Sequence, residues 1–128
     1  MPNPATTKLL MIRKTDEFSS VFIFRKRFST EFLVVHYKPN EKQNEVPQVR
    51  VGFVVAKKVA KLAVDRNYMR RVLRELSRQE LYVLDNVDIV IQVKKPFKNS
   101  NFLKLKQELV ALFVKIQKKI ALEKTKHA

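Results

Sequence analysis

The chain has 128 residues, the length of a single domain, and a 45% hydrophobic content that is too high for a disordered basic tail. Lys and Arg number 27 against 12 acidic residues, so a formal net charge of +15 repels itself unless a polyanion is bound. No cysteine is present, which excludes disulfides, thiolate metal sites and Cys nucleophiles.

In chain order, residues 14–24 carry Phe18, Val21 and Phe22 at i, i+3, i+4, with Thr15 or Asp16 as an N-cap, and predict a short amphipathic helix. Residues 31–38 (EFLVVHYK) are rich in β-branched and aromatic types and read as a strand. A polar, Pro-bounded connection over 39–48 leads to a second strand, 49–56, and predicts a hairpin with a loose loop. Along that second strand Val49, Val51, Phe53 and Val55 alternate with Arg50, Gly52, Val54 and Ala56. Over 62–81 the period becomes helical, with an apolar stripe of Met69, Val72, Leu73 and Leu76. Residues 87–93 (VDIVIQV) return to strand. Pro96 breaks the chain, and Ser100 or Asn101 caps a final helix with the stripe Phe102, Leu105, Leu109, Leu112, Phe113, Ile116 and Ile120.

The order helix, strand, strand, helix, strand, helix predicts an α+β fold in which one sheet carries packed helices. We expect one domain over 1–128, an ordered core of about 9–120, and a tail from 121 that frays. The start of the chain lacks a long apolar h-region, and no apolar run approaches the ~18 residues of a membrane span. The expected compartment is the cytoplasm, with no membrane partner.

The helix over 62–81 is the most informative element. Opposite its apolar stripe, one arc collects Arg66, Asn67, Arg70, Arg71, Arg74 and Arg78. Each planar guanidinium can clamp a phosphate or stack on a base, and Asn67 offers a donor and an acceptor to a base edge or a 2′-hydroxyl. A solvated face held by ion pairs is the alternative, but Glu75 and Glu80 are too few to neutralise five arginines. Lys57, Lys58 and Lys61, just after the second strand, extend the same positive surface.

The stretch VAKKVAKLAVDRNYMRRVLREL, residues 55–76, resembles the signature of the bacterial ribonuclease P protein family. The matching positions are Lys57, Lys58, Arg66, Asn67, Arg70, Arg71 and Arg74, closed by Glu75. The opening LLMIRKTDEFSSVF and the strands VRVGFVVAKK and DIVIQVKK are similar to the family's pattern, over about residues 9–119. The resemblance implies a short extra strand near 25–29. It also implies a left-handed βαβ crossover around the arginine helix, a fold shared with a ribosomal-protein domain.

By the same resemblance, Lys57, Lys58, Arg66, Asn67, Arg70, Arg71 and Arg74 contact the ribonuclease P RNA. Phe18 and Phe22 line a cleft for the single-stranded 5′ leader of precursor tRNA. Two Phe at helical spacing fit a core as well as a stacking platform, and both readings stand. The resemblance further implies cleavage by the RNA subunit, with Mg²⁺ held mainly on RNA phosphates, and no organic cofactor.

The residues themselves contain no protein catalytic constellation. Phosphodiester hydrolysis by a protein calls for converging carboxylates on metals or a His pair. Asp85 and Asp88 read as solvated turn acids, Asp16 and Glu17 suit the first turn of a helix, and His36 sits mid-strand as a structural residue. The lone glycine, Gly52, excludes a glycine-rich phosphate loop. The alternative function is a structural RNA-binding protein of ribosomal type. A protein-only nuclease and a DNA-binding helix-turn-helix fit less well.

Overall fold

A computed structural model describes residues 8–39, 48–78, 80–84 and 86–126. Among these residues five strands, β1 (Lys8–Met11), β2 (Lys26–Ser29), β3 (Leu33–Pro39), β4 (Gln48–Val54) and β5 (Val87–Val93), form one sheet in the order β1-β4-β5-β3-β2. Three helices, α1 (Thr15–Phe24), α2 (Ala63–Ser77) and α3 (Phe102–Lys126), pack on it. The α+β architecture is as expected, and the strand implied near 25–29 is β2. The short β1 lacks enough residues to show a period, and it exists through parallel pairing with β4.

The hairpin expected between the strands at 31–38 and 49–56 does not form. β5 lies between β3 and β4, antiparallel to the first and parallel to the second. The reason lies in VDIVIQV. Val87, Ile89, Ile91 and Val93 are buried on one face and Val90 on the other, so this strand requires cover on both sides and takes the centre. The chain therefore passes from β4 through α2 to a parallel neighbour, a βαβ crossover. The connection at 40–47 lies outside the described residues, as does Asp85.

α2 and α3 cover one face of the sheet. Met69 and Leu73 are buried there, with Val72 and Leu76 packed against them. Leu105, Leu109, Leu112, Phe113, Ile116 and Ile120 of α3 are buried on the same face, with Phe102 at the edge. Every apolar stripe read from periodicity faces the core. α3 runs through Lys126, into the tail expected to fray from 121, and Glu123 within this stretch pairs with Lys26 of β2 at 3.7 Å.

α1 covers the opposite face through Val21, Phe18 and Phe22, against Val90 and Val54. Polar ties fix its position. Arg50 donates from Nε to Asp88 Oδ1 at 2.9 Å and from Nη2 to Oδ2 at 2.6 Å, while its Nη1 pairs with Glu17 of α1. Lys38 Nζ donates to Ser20 Oγ at 2.7 Å. Asp88 is thus a buried strand acid, 5% exposed, and not a solvated turn acid. Its cation comes from the neighbouring strand, where Arg50 and Asp88 are register partners. The Lys14 backbone N–H, and less strongly Arg50, hold the Glu17 carboxyl below its usual range.

His36 is buried on the α1 face. Its ring meets Phe22 edge-on at 4.6 Å, and Nε2 lies 3.0 Å from Gln92 Oε1. Burial pushes its pKa down, against the opposing effect of Gln92, with Arg27 adding to the fall. A His that is harder to protonate when folded stabilises the fold above its unfolded pKa of about 6.5. That contribution fades as pH falls through the lower folded pKa. We expect melting temperature to drop between pH 7 and 5, and His36→Gln to flatten that part of the profile relative to the unsubstituted chain.

Candidate nucleic-acid interface

α2 begins after an exposed turn carrying Lys57 and Lys58, and Asp65 occupies its first turn, where the helix dipole favours an acid. Arg66 folds back onto the loop before the helix. Its Nη1 donates to the carbonyls of Ala60 at 3.0 Å and Lys61 at 2.8 Å. It shapes the start of α2, and half of its donor fork is committed to the backbone. Beyond it, Asn67, Arg70, Arg71 and Arg74 face a cleft of about 490 Å³. Asn67 Oδ1 accepts from Arg70 Nη2, so the amide and the guanidinium are oriented together. None of the ion pairs among the described residues includes an arginine of α2.

The other wall of this cleft is Phe18, with Met11, Ile12 and Phe53. Sequence reading kept the aromatic pair and the arginine arc apart, yet the fold brings Phe18 to the arginines. Phe22 goes elsewhere: it packs against His36 and does not line this cleft. The core and platform readings therefore divide between the two residues. Phe22 belongs to the α1–sheet contact, and Phe18 is half-buried with its ring reaching the cleft.

Gly52 makes that placement possible. A Cβ built there would stand 2.7 Å from Phe18 Cζ and 3.3 Å from Ile12 Cβ, so any side chain lifts the Phe18 ring off the sheet. We expect Gly52→Ala to cost about 1–3 kcal/mol through overpacking against this ring. Chemical denaturation checks this, and Phe18→Leu in the same background should recover part of the loss. The sequence signal was the one glycine inside an otherwise β-branched strand, a mark of close approach.

Further residues on the α1 face escaped sequence reading. Val54, Gln92 and Val34 are neighbours across β4, β5 and β3 and remain partly exposed, with Ser29 next in line on β2. They form a partly exposed row across the sheet on the α1 face. No periodicity identifies them, because the row exists only once β5 lies between β3 and β4.

The fold and this cleft define a basic α+β protein with a cationic helix and a partly exposed aromatic facing one another across a groove, a surface suited to a phosphate-bearing strand. A family model described as Ribonuclease P matches residues 7–117. A ribonuclease P protein component from Chromobacterium violaceum is 45% identical over 103 residues, covering 80% of this chain and 82% of that one. One from Aromatoleum aromaticum is 40% identical over 101 residues, covering 79% and 82%. Among solved structures, the Staphylococcus aureus RNase P protein superposes with a TM-score of 0.68 at 25% identity, over 83% of this chain and 93% of that one. The Thermotoga maritima protein shares the fold, with a TM-score of 0.59 at 22% identity over 85% and 96%. The chain belongs to the ribonuclease P protein family. Its role is that of a protein subunit in an endoribonuclease holoenzyme that processes tRNA.

Proposed function

We propose that this subunit binds the ribonuclease P RNA through α2 and guides the single-stranded 5′ leader of precursor tRNA along α1. The observation that carries the reading is the shared cleft: Phe18 on one wall, and Asn67, Arg70, Arg71 and Arg74 on the other. A base stacked on Phe18 leaves its phosphates within reach of guanidiniums that form no ion pair among the described residues. From there the strand follows the row of Val54, Gln92 and Val34 past the Phe22–His36 contact. Lys57 and Lys58, exposed on the approach to α2, add phosphate contacts for the RNA subunit.

The described residues do not fit a Mg²⁺ site. Among the described residues no three His, Asp or Glu side chains converge, and Asp88 is engaged by Arg50. In this reading Mg²⁺ is held on phosphate oxygens of the RNA, which performs the cleavage. The protein contributes positioning and positive potential. No helix among the described residues is long and apolar enough to cross a membrane, and we assign the complex to the cytoplasm.

Leader recognition is tested with the reconstituted holoenzyme, by comparing its affinity for precursor tRNA and for mature tRNA. Phe18→Ala is expected to weaken precursor binding by about tenfold, the scale of one lost base stack, and to leave mature tRNA binding unchanged. An equal loss for both RNAs would place Phe18 in the core alone.

A further inference from the structure

The ridge of α2 has a second cleft on its other flank. It measures about 530 Å³ and lies between the first turns of α2 and the connection from β5 to α3. Its floor is apolar: Met69 and Phe97 are buried, with Pro96 beside them. Tyr68 forms one wall. The residue is 39% exposed, and its hydroxyl donates to Asn99 Oδ1. The facing turn is braced, because the Lys98 N–H donates to Asn101 Oδ1 and the Asn101 N–H donates to the Lys98 carbonyl, both at 2.9 Å. Asp65, Ser100 and the exposed Lys98 complete the rim.

A fixed aromatic wall, an apolar floor and a few polar groups at the edge suit a flat heteroaromatic with a hydrogen-bonding rim. The surroundings select which one. The same helix carries Arg70, Arg71 and Arg74 on its other flank, and Lys57, Lys58 and Lys61 stand exposed just before it. An RNA strand whose phosphates are drawn onto this ridge presents its bases to either side.

We propose that the second cleft takes one unpaired nucleobase of the bound RNA subunit, stacked on Tyr68. Its edge faces Asp65 and Ser100, and its phosphate lies toward Lys98. This inference rests on the RNA-binding reading above. A carboxylate only accepts hydrogen bonds, so Asp65 favours a base with an exocyclic amino group over uracil.

Tyr68→Trp supplies the chain's only tryptophan and reports on the cleft directly. Titrated with the RNA subunit of a bacterial ribonuclease P, its fluorescence should be quenched in step with binding. Tyr68→Ala should weaken affinity for that RNA about tenfold. The dependence of log affinity on log salt should keep its slope, since no phosphate contact is lost. Tyr68→Phe, which keeps the ring and loses the Asn99 bond, should bind within about threefold of the unsubstituted protein, because stacking carries most of the contact. Intact RNA binding with no loss in Tyr68→Ala overturns the inference alone. So does a loss in Tyr68→Ala without quenching in Tyr68→Trp, because the residue would then act through the fold. Failure of the unsubstituted protein to bind the RNA overturns the RNA-binding reading and this inference with it.

Discussion

Replacing Arg70 and Arg74 together with alanine is expected to weaken binding to ribonuclease P RNA by about a hundredfold or more, with little change in stability. Both side chains line the Phe18 cleft, and neither takes part in an ion pair among the described residues. Charge-assisted hydrogen bonds to phosphate contribute on the order of 1.5–3 kcal/mol each, so two lost clamps give that factor. The plot of log affinity against log salt should also become shallower by nearly two, one for each phosphate contact removed. Thermal melting of the free protein should shift little, because these substitutions remove like charges from an exposed ridge. Loss of affinity with an unchanged salt slope would mean that the arginines act on the fold and not on phosphate.

The second large effect concerns the tie beneath α1. Arg50→Met is expected to destabilise the chain by about 3 kcal/mol, lowering the melting temperature by roughly 10 °C for a domain of this size. Asp88 is 5% exposed and would lose both guanidinium hydrogen bonds, while Glu17 would lose its hold on the sheet. The double substitution Arg50→Met with Asp88→Leu should recover most of the loss, because it removes the buried charge as well as its partner. Calorimetry of the two variants decides the matter. A single substitution costing under about 1 kcal/mol would show the pair to be solvated well enough to be dispensable. In the holoenzyme, Arg50→Met should also reduce the preference for precursor over mature tRNA, because α1 carries Phe18.

Local patterns in the sequence foretold what depends on local geometry. The arginine arc of α2 follows from helical spacing, and Asn67, Arg70, Arg71 and Arg74 do lie on one flank. The stripe of α3 is equally plain, because seven apolar residues at that spacing can face only one way. What depends on distant pairing was hidden. The insertion of β5 between β3 and β4 reflects competition among three apolar strands, and a polar loop alone suggested a hairpin. Asp88 looked like a turn acid because its partner, Arg50, lies 38 residues earlier in the chain. Phe18 and Phe22 share one helical face in sequence, yet Gly52 gives the first ring a seat beside the arginines, while His36 takes the second. Arg66, a matching position of the family signature, commits donors to Ala60 and Lys61, a local role that spacing could not reveal.

In the proposed function this chain is a positioning subunit and its RNA partner cuts. The most direct test is cleavage of a precursor tRNA with a 5′ leader at near-physiological Mg²⁺. The reaction is run with protein alone, with a bacterial ribonuclease P RNA alone, and with both. Efficient cleavage at the mature 5′ end is expected only when both are present, with a marked loss for the Arg70→Ala, Arg74→Ala protein. Cleavage by the protein alone would contradict this role and would require a catalytic centre in the chain itself.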